Sequence, residues 1–144
     1  MKKYLAITLL ALVLCLGGCT QPDGRIGDWF GSWHLEDILI DGEPDTDYEG
    51  DIMFSFQGKI FNCAYMEKAE QYGSWSYAGE VLTLVLGYEE PWDIYFNPFP
   101  KAMHFPADVE QIEITVTHIN GNTMQWQYID QNGRLLTYNF RKYP

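Results

Sequence analysis

The groups in this sequence best suited to chemistry are carboxylates. Glu36, Asp37, Asp41, Glu43, Asp45, Asp47, Glu49 and Asp51 occupy a stretch that holds no Lys or Arg. Within it, Asp45-x-Asp47-x-Glu49-Gly50 matches the first half of a calcium loop, including the glycine at its sixth position. The twelfth position falls on Phe56, where such a loop needs a bidentate Glu, so the full pattern fails. Alternate carboxylates at Asp45, Asp47 and Glu49 would hold Ca²⁺ weakly at best. A solvated acidic loop is the favoured reading.

Histidine, serine and cysteine offer less. His34, His104 and His118 are scattered, and no His-Glu-x-x-His, Cys-x-x-Cys or Gly-x-Ser-x-Gly pattern accompanies them. Ser32 and Ser74 each sit in a Gly-Ser-Trp triplet within strand-like segments that supply no strained elbow. Cys63 lies in an apolar stretch and reads as a small buried hydrophobe. The chain is therefore read as non-enzymatic and without a cofactor.

Non-covalent binding finds more support, in the segment 88–107. Its 20 residues carry Pro91, Pro98, Pro100 and Pro106 together with Tyr88, Trp92, Tyr95, Phe96, Phe99 and Phe105. Unstructured loops of this length are uncommon and often act as lids or binding loops. Proline lowers the entropy lost on ordering such a segment, and its aromatic surface avoids water. Two readings stay open. The segment is a lid or interaction loop presenting Trp92, Tyr95, Phe96 and Phe99, or a plug that fills an interior with Trp92 or Phe99.

These residues need a scaffold, and composition bounds it. The chain has 144 residues, 47% hydrophobic and 16% aromatic, with 20 acidic against 9 basic residues. One domain with a core of ordinary size fits that length. A formal charge of −11 excludes nucleic acid as a partner, since nothing here neutralises a run of phosphates.

Short alternating runs separated by turn residues supply the elements. Strands are expected at Ser32–Ile40, Asp51–Gln57, Lys59–Met66, Tyr72–Tyr77, Glu80–Leu86, Val109–Ile119, Asn122–Asp130 and Arg134–Lys142. Asn120-Gly121 reads as a type I′ hairpin turn, and a single helical turn is expected around Ile26–Phe30. Eight successive antiparallel strands, in an all-β chain, predict an up-and-down barrel whose closure removes exposed edges.

Gly31-Ser32-Trp33 opens the first expected strand, and Gly73-Ser74-Trp75 precedes Leu82-Thr83-Leu84. These motifs resemble the Gly-x-Trp and Leu-x-Leu patterns of lipocalins and of small lipocalin-like bacterial lipoproteins. The resemblance covers Ile26 to Lys142 and implies a lipocalin-like (calycin-type) barrel with Trp33 near its closed end. It also implies a basic residue from the last strand covering Trp33, with Arg134 and Arg141 as candidates. A carrier of this kind would wall its cavity with Phe54, Phe56, Trp75, Leu82, Leu84, Ile114, Trp126 and Tyr138. Its ligand would be small and apolar or amphipathic. The alternative is a cell-surface module that binds a glycan or a partner protein through the 88–107 loop.

Residues 1–18 belong to no domain. Met1-Lys2-Lys3, an apolar run and Gly17-Gly18-Cys19 read as a secretory signal, too short for the roughly 20 residues of a membrane-spanning helix. Leu16-Gly17-Gly18-Cys19 resembles the lipobox of bacterial lipoproteins, which implies cleavage before Cys19 and acylation of that residue. Thr20, rather than Asp, resembles the sorting position of lipoproteins sent to the outer membrane of Gram-negative bacteria. Residues 19–28 would then be a lipidated tether, of which Gln21–Asp28 reach at most roughly 30 Å, followed by the barrel domain at 29–144. Cleavage leaves seven basic against 20 acidic residues, a charge of −13, with Cys63 as the single unacylated cysteine. A clickable fatty-acid analogue fed to the native host should label the wild type and leave Cys19→Ala unlabelled on a gel. Equal labelling of both would remove the anchor.

Overall fold

The computed structural model describes residues 27–65, 69–87, 98–106 and 109–144. The alternating runs form β1 (Gly31–Ile40), β2 (Glu43–Pro44), β3 (Ile52–Gln57), β4 (Ile60–Tyr65), β5 (Ala69–Ala78) and β6 (Val81–Leu86). A short helix, α1 (Pro98–Met103), precedes β7 (Gln111–Ile119), β8 (Thr123–Ile129) and β9 (Leu135–Lys142). From β3 to β9 each strand pairs antiparallel with the next, and β9 returns to pair with β1. The result is a closed eight-stranded antiparallel barrel of β1 and β3–β9. All eight expected strands are present, with ends shifted by a few residues.

β1 is the strand that closes the sheet. Gly31–His34 pair with β3, while Trp33–Ile40 pair with β9. A bulge between Leu35 and Asp37 shifts the alternation by one residue, so Trp33, Leu35 and Ile38 all face inward and are buried. A second bulge lies between Val116 and His118 in β7.

Two turns differ from expectation. Neither Asn120 nor Gly121 has a positive φ, so this hairpin is not type I′. Instead the Asn120 side chain accepts from the backbone N–H groups of Asn122 (2.8 Å) and Thr123 (2.9 Å). The type I′ signature falls on Asp41-Gly42, with φ of 50° and 85°, which folds the two-residue β2 back onto Leu39 and Ile40. Before β1, the Phe30 N–H donates to the Gly27 carbonyl at 3.1 Å, the single turn expected there. No described helix is long and apolar enough to cross a membrane.

Gly73 shows why the second Gly-x-Trp motif needs its glycine. It pairs with Phe61 of β4 and Leu86 of β6, and the buried Phe61 ring lies across it. A Cβ here would sit 2.6 Å from Phe61 Cε1 and 2.1 Å from the Val85 carbonyl oxygen. The second contact is with backbone and cannot rotate away. Gly73→Ala should therefore cost about 1–3 kcal/mol of unfolding free energy in urea titrations. Gly27→Ala, with nothing within 4 Å of the added carbon, should change it by less than about 0.5 kcal/mol.

Candidate functional site

The base of the barrel is sealed by the chain that enters it. Trp29 is buried there with its ring centroid 4.9 Å from Phe56, 5.1 Å from Trp75 and 5.1 Å from Tyr77. Trp33, fully buried, donates its indole N–H to the Trp29 carbonyl at 3.1 Å. Lys142 covers Trp33: its Nζ lies 4.7 Å from the ring centroid and donates to the Asp28 carbonyl at 2.8 Å. This corrects the expectation of Arg134 or Arg141. Lys142 sits directly opposite Trp33 in the β1–β9 register and shares the inward phase of Tyr138 and Phe140. Arg134 precedes β9 at its far end and pairs with Asp130, whereas Arg141 alternates outward and pairs with Glu36.

Above this seal, the expected wall residues do converge. Phe54, Phe56, Leu82, Leu84, Ile114, Trp126 and Tyr138 all point inward and are buried, and Trp75 is half-buried beside Trp29. They pack against one another. Trp126 lies 4.4 Å from Phe140, 5.0 Å from Phe54 and 6.3 Å from Tyr138 between ring centroids. The indole N–H groups of Trp126 and Trp75 are buried and meet no acceptor among the described residues. A buried donor left in that state costs about 1–3 kcal/mol. Cys63 also faces this core, and burial pushes its thiol well above the ordinary range, so it is a poor nucleophile.

The opposite end is closed by a loop segment instead of a strand. Met103, at the end of α1, is fully buried, and Phe105 is nearly so, with its ring 5.2 Å from Tyr128 and 5.9 Å from Tyr138. Among the described residues two polar ties hold this plug to the barrel, and a third bond closes its own turn. The Tyr138 hydroxyl donates to the Met103 carbonyl, the His104 N–H donates to the Lys101 carbonyl at 3.2 Å, and His104 Nε2 lies 2.7 Å from Asp45 Oδ2. His104 takes a positive φ of 60°, the left-handed cap usually given to glycine. Its pairing with Asp45 accounts for a histidine in that position.

The acidic stretch lies at this mouth and is more tightly held than a solvated loop. Asp45 has both carboxylate oxygens engaged, Oδ2 by His104 and Oδ1 by the Asp47 N–H at 3.1 Å. Tyr48 donates its hydroxyl to the Leu35 carbonyl and accepts from the Ile52 N–H, and His34 Nε2 meets the Gly50 carbonyl at 2.8 Å. Among the described residues no group of three metal-ligating side chains includes Asp45, Asp47 and Glu49. Cys19, Trp92, Tyr95 and Phe96 lie outside the described residues. Phe99 falls within α1, and its side chain is outside them too. Sequence reasoning missed Trp29, Lys142, Met103 and His104 as working parts. Only Lys142 left a usable signal, in its phase with Tyr138 and Phe140.

No family model and no curated protein matches this chain. Solved structures do. A lipocalin-like protein from Bacteroides uniformis superimposes with a TM-score of 0.63 at 18% identity, covering 81% of this chain and all of that one. An uncharacterized protein from Bacteroides eggerthii gives 0.64 at 19% identity with the same coverage. The fold is lipocalin-like. That likeness is one of fold, and it assigns no ligand.

The mouth makes stability sensitive to alkali. Burial raises the phenols of Tyr138 and Tyr48 above their ordinary value of 10.0, because the charged form loses its water. A raised folded value means the contribution is complete below pH 10 and is lost as pH rises above it, where only the unfolded phenols ionise. Melting temperature should therefore fall above pH 10. Tyr138→Phe should flatten that fall, while hydrogen exchange at Met103–Phe105 quickens at neutral pH.

Proposed function

We propose that this protein is a non-enzymatic binding protein, held in the cell envelope by lipid on Cys19, whose barrel takes up one small apolar or amphipathic molecule. Entry is by withdrawal of the Met103–Phe105 plug. One observation carries this reading: the barrel is sealed at its mouth by two apolar side chains on a loop, tied by polar contacts, over an aromatic interior. The unmatched indole N–H of Trp126 within that interior suits an amphipathic ligand bearing an acceptor.

Magnitudes make the exchange feasible. Met103 and Phe105 each contribute about 1.5–3 kcal/mol by being buried. A ligand burying roughly 300–400 Å² of apolar surface gains about 7–10 kcal/mol at ~25 cal/mol per Å². The ligand term exceeds the plug term by a few kcal/mol, which fits a weak and reversible carrier. Weakening the plug should then tighten binding.

The test is titration with the fluorescent apolar probe N-phenyl-1-naphthylamine. The wild type should bind one equivalent, displaced by a medium-chain fatty acid, and Phe105→Ala should bind on the order of tenfold more tightly. A folded wild type that binds neither the probe nor the fatty acid would rule the carrier out and leave the interaction module.

A further inference from the structure

We propose that the outer wall of the barrel carries a second, separate site: a groove across β3, β4 and β5 that binds a neutral oligosaccharide. The groove has a volume of about 330 Å³ and is lined by Ser55, Gln57, Ile60, Asn62, Ala64, Glu70 and Tyr72, with the backbone at Phe61 completing it. Its shape follows from the register. Ser55, Asn62 and Tyr72 lie in one row across the three strands, and Ala64 faces Glu70 in the next. Short side chains at Ser55, Asn62 and Ala64 form the floor. Longer ones at Gln57 and Ile60 on one side, and at Glu70 and Tyr72 on the other, form the walls.

The lining chemistry selects the ligand. Asn62 and Gln57 each present both a donor and an acceptor, which matches vicinal hydroxyl groups. The Ser55 hydroxyl is fixed by the Ser32 hydroxyl at 3.0 Å. The Tyr72 hydroxyl donates to Glu70 Oε2, which fixes the ring, and Tyr72 and Ile60 are 39% and 59% exposed. A partly exposed tyrosine ring beside polar groups suits the apolar C–H face of a sugar ring.

Other ligand classes fit less well. Among the described residues no basic side chain lines the groove, and the chain's charge of −11 disfavours anions. β3, β4 and β5 are paired on both sides, so no free edge accepts an added peptide strand. The lining mixes Ser55, Gln57 and Asn62 with Ile60 and Ala64, so a ligand with both hydroxyl groups and an apolar face matches it better than a purely apolar one. A volume near 330 Å³ lies at the small end of the ~300–1,000 Å³ range of ligand pockets, enough for a sugar ring or two of a longer chain.

This site is independent of the barrel interior, and its test is chosen accordingly. Calorimetry on the purified protein would use maltohexaose, xylohexaose and chitohexaose, with a heparin fragment as the anionic comparison. At least one neutral hexasaccharide should bind, with wild-type amide shifts concentrated between residues 53 and 74. Tyr72→Ala should weaken binding on the order of tenfold, and Ala64→Tyr, which fills the floor, should abolish it. Both variants should keep the wild-type melting temperature, which reports that they fold whether or not the barrel takes up a ligand. The site is overturned if no neutral hexasaccharide binds, if binding survives both variants, if the shifts lie elsewhere, or if the heparin fragment binds in preference.

Discussion

The pairing of β1 with β9 is the contact on which the rest of this structure depends. It turns an open sheet into a barrel, so every inward residue of eight strands faces the same enclosed volume. A barrel of eight strands has room for side chains or for one small ligand, and little more. Closure therefore sets a filling problem with three partners: the wall residues, the chain at the base and the segment at the mouth. Trp29 and Trp33 fill one end, Met103 and Phe105 the other, and Phe54, Trp126 and Phe140 meet between them. The bulge at Glu36 belongs to the same solution, because without the phase shift Ile38 would face solvent.

Much of this was legible in the sequence because period-two alternation is a local property. Leu82 and Leu84, or Trp126 with Met124, declare their face within a few residues. What was not legible depends on register between distant strands. Lys142 covers Trp33 only because β1 and β9 are aligned as they are, and no local pattern at either residue specifies that alignment. The same holds for His104 and Asp45, which are separated by more than half the barrel and meet only when it closes. Asp41-Gly42 is a different case. Its hairpin signal was as plain as that of Asn120-Gly121, yet it leads to a strand of two residues, below the length that alternation detects.

The candidate wall residues face inward or line the base as a group, a placement that period-two alternation makes legible. Their role was less legible, because a residue lining a cavity and a residue filling it have the same periodicity. Phe56 and Trp126 would read alike in an empty barrel and in this packed one. The distinction lies in what the long loop does. Its aromatics at 92–99 drew attention by number, whereas the described plug uses Met103 and Phe105 from its less conspicuous end. Proline content marked the loop as constrained without saying where it would dock. Docking follows from two polar ties outside the segment, the Tyr138 hydroxyl to the Met103 carbonyl and His104 to Asp45.

Polarity along the barrel axis then follows from topology. The chain enters at the base, through Gly27–Phe30, and β1 carries it ten residues to the mouth. At about 3.3 Å per residue that is roughly 33 Å along the strand. The chain before Gly27 therefore joins the barrel at its sealed base, the end opposite the plug. The acidic loop between Asp41 and Asp47 lies at that mouth, held to the plug through Asp45, so the densest negative charge stands at the end the chain does not enter.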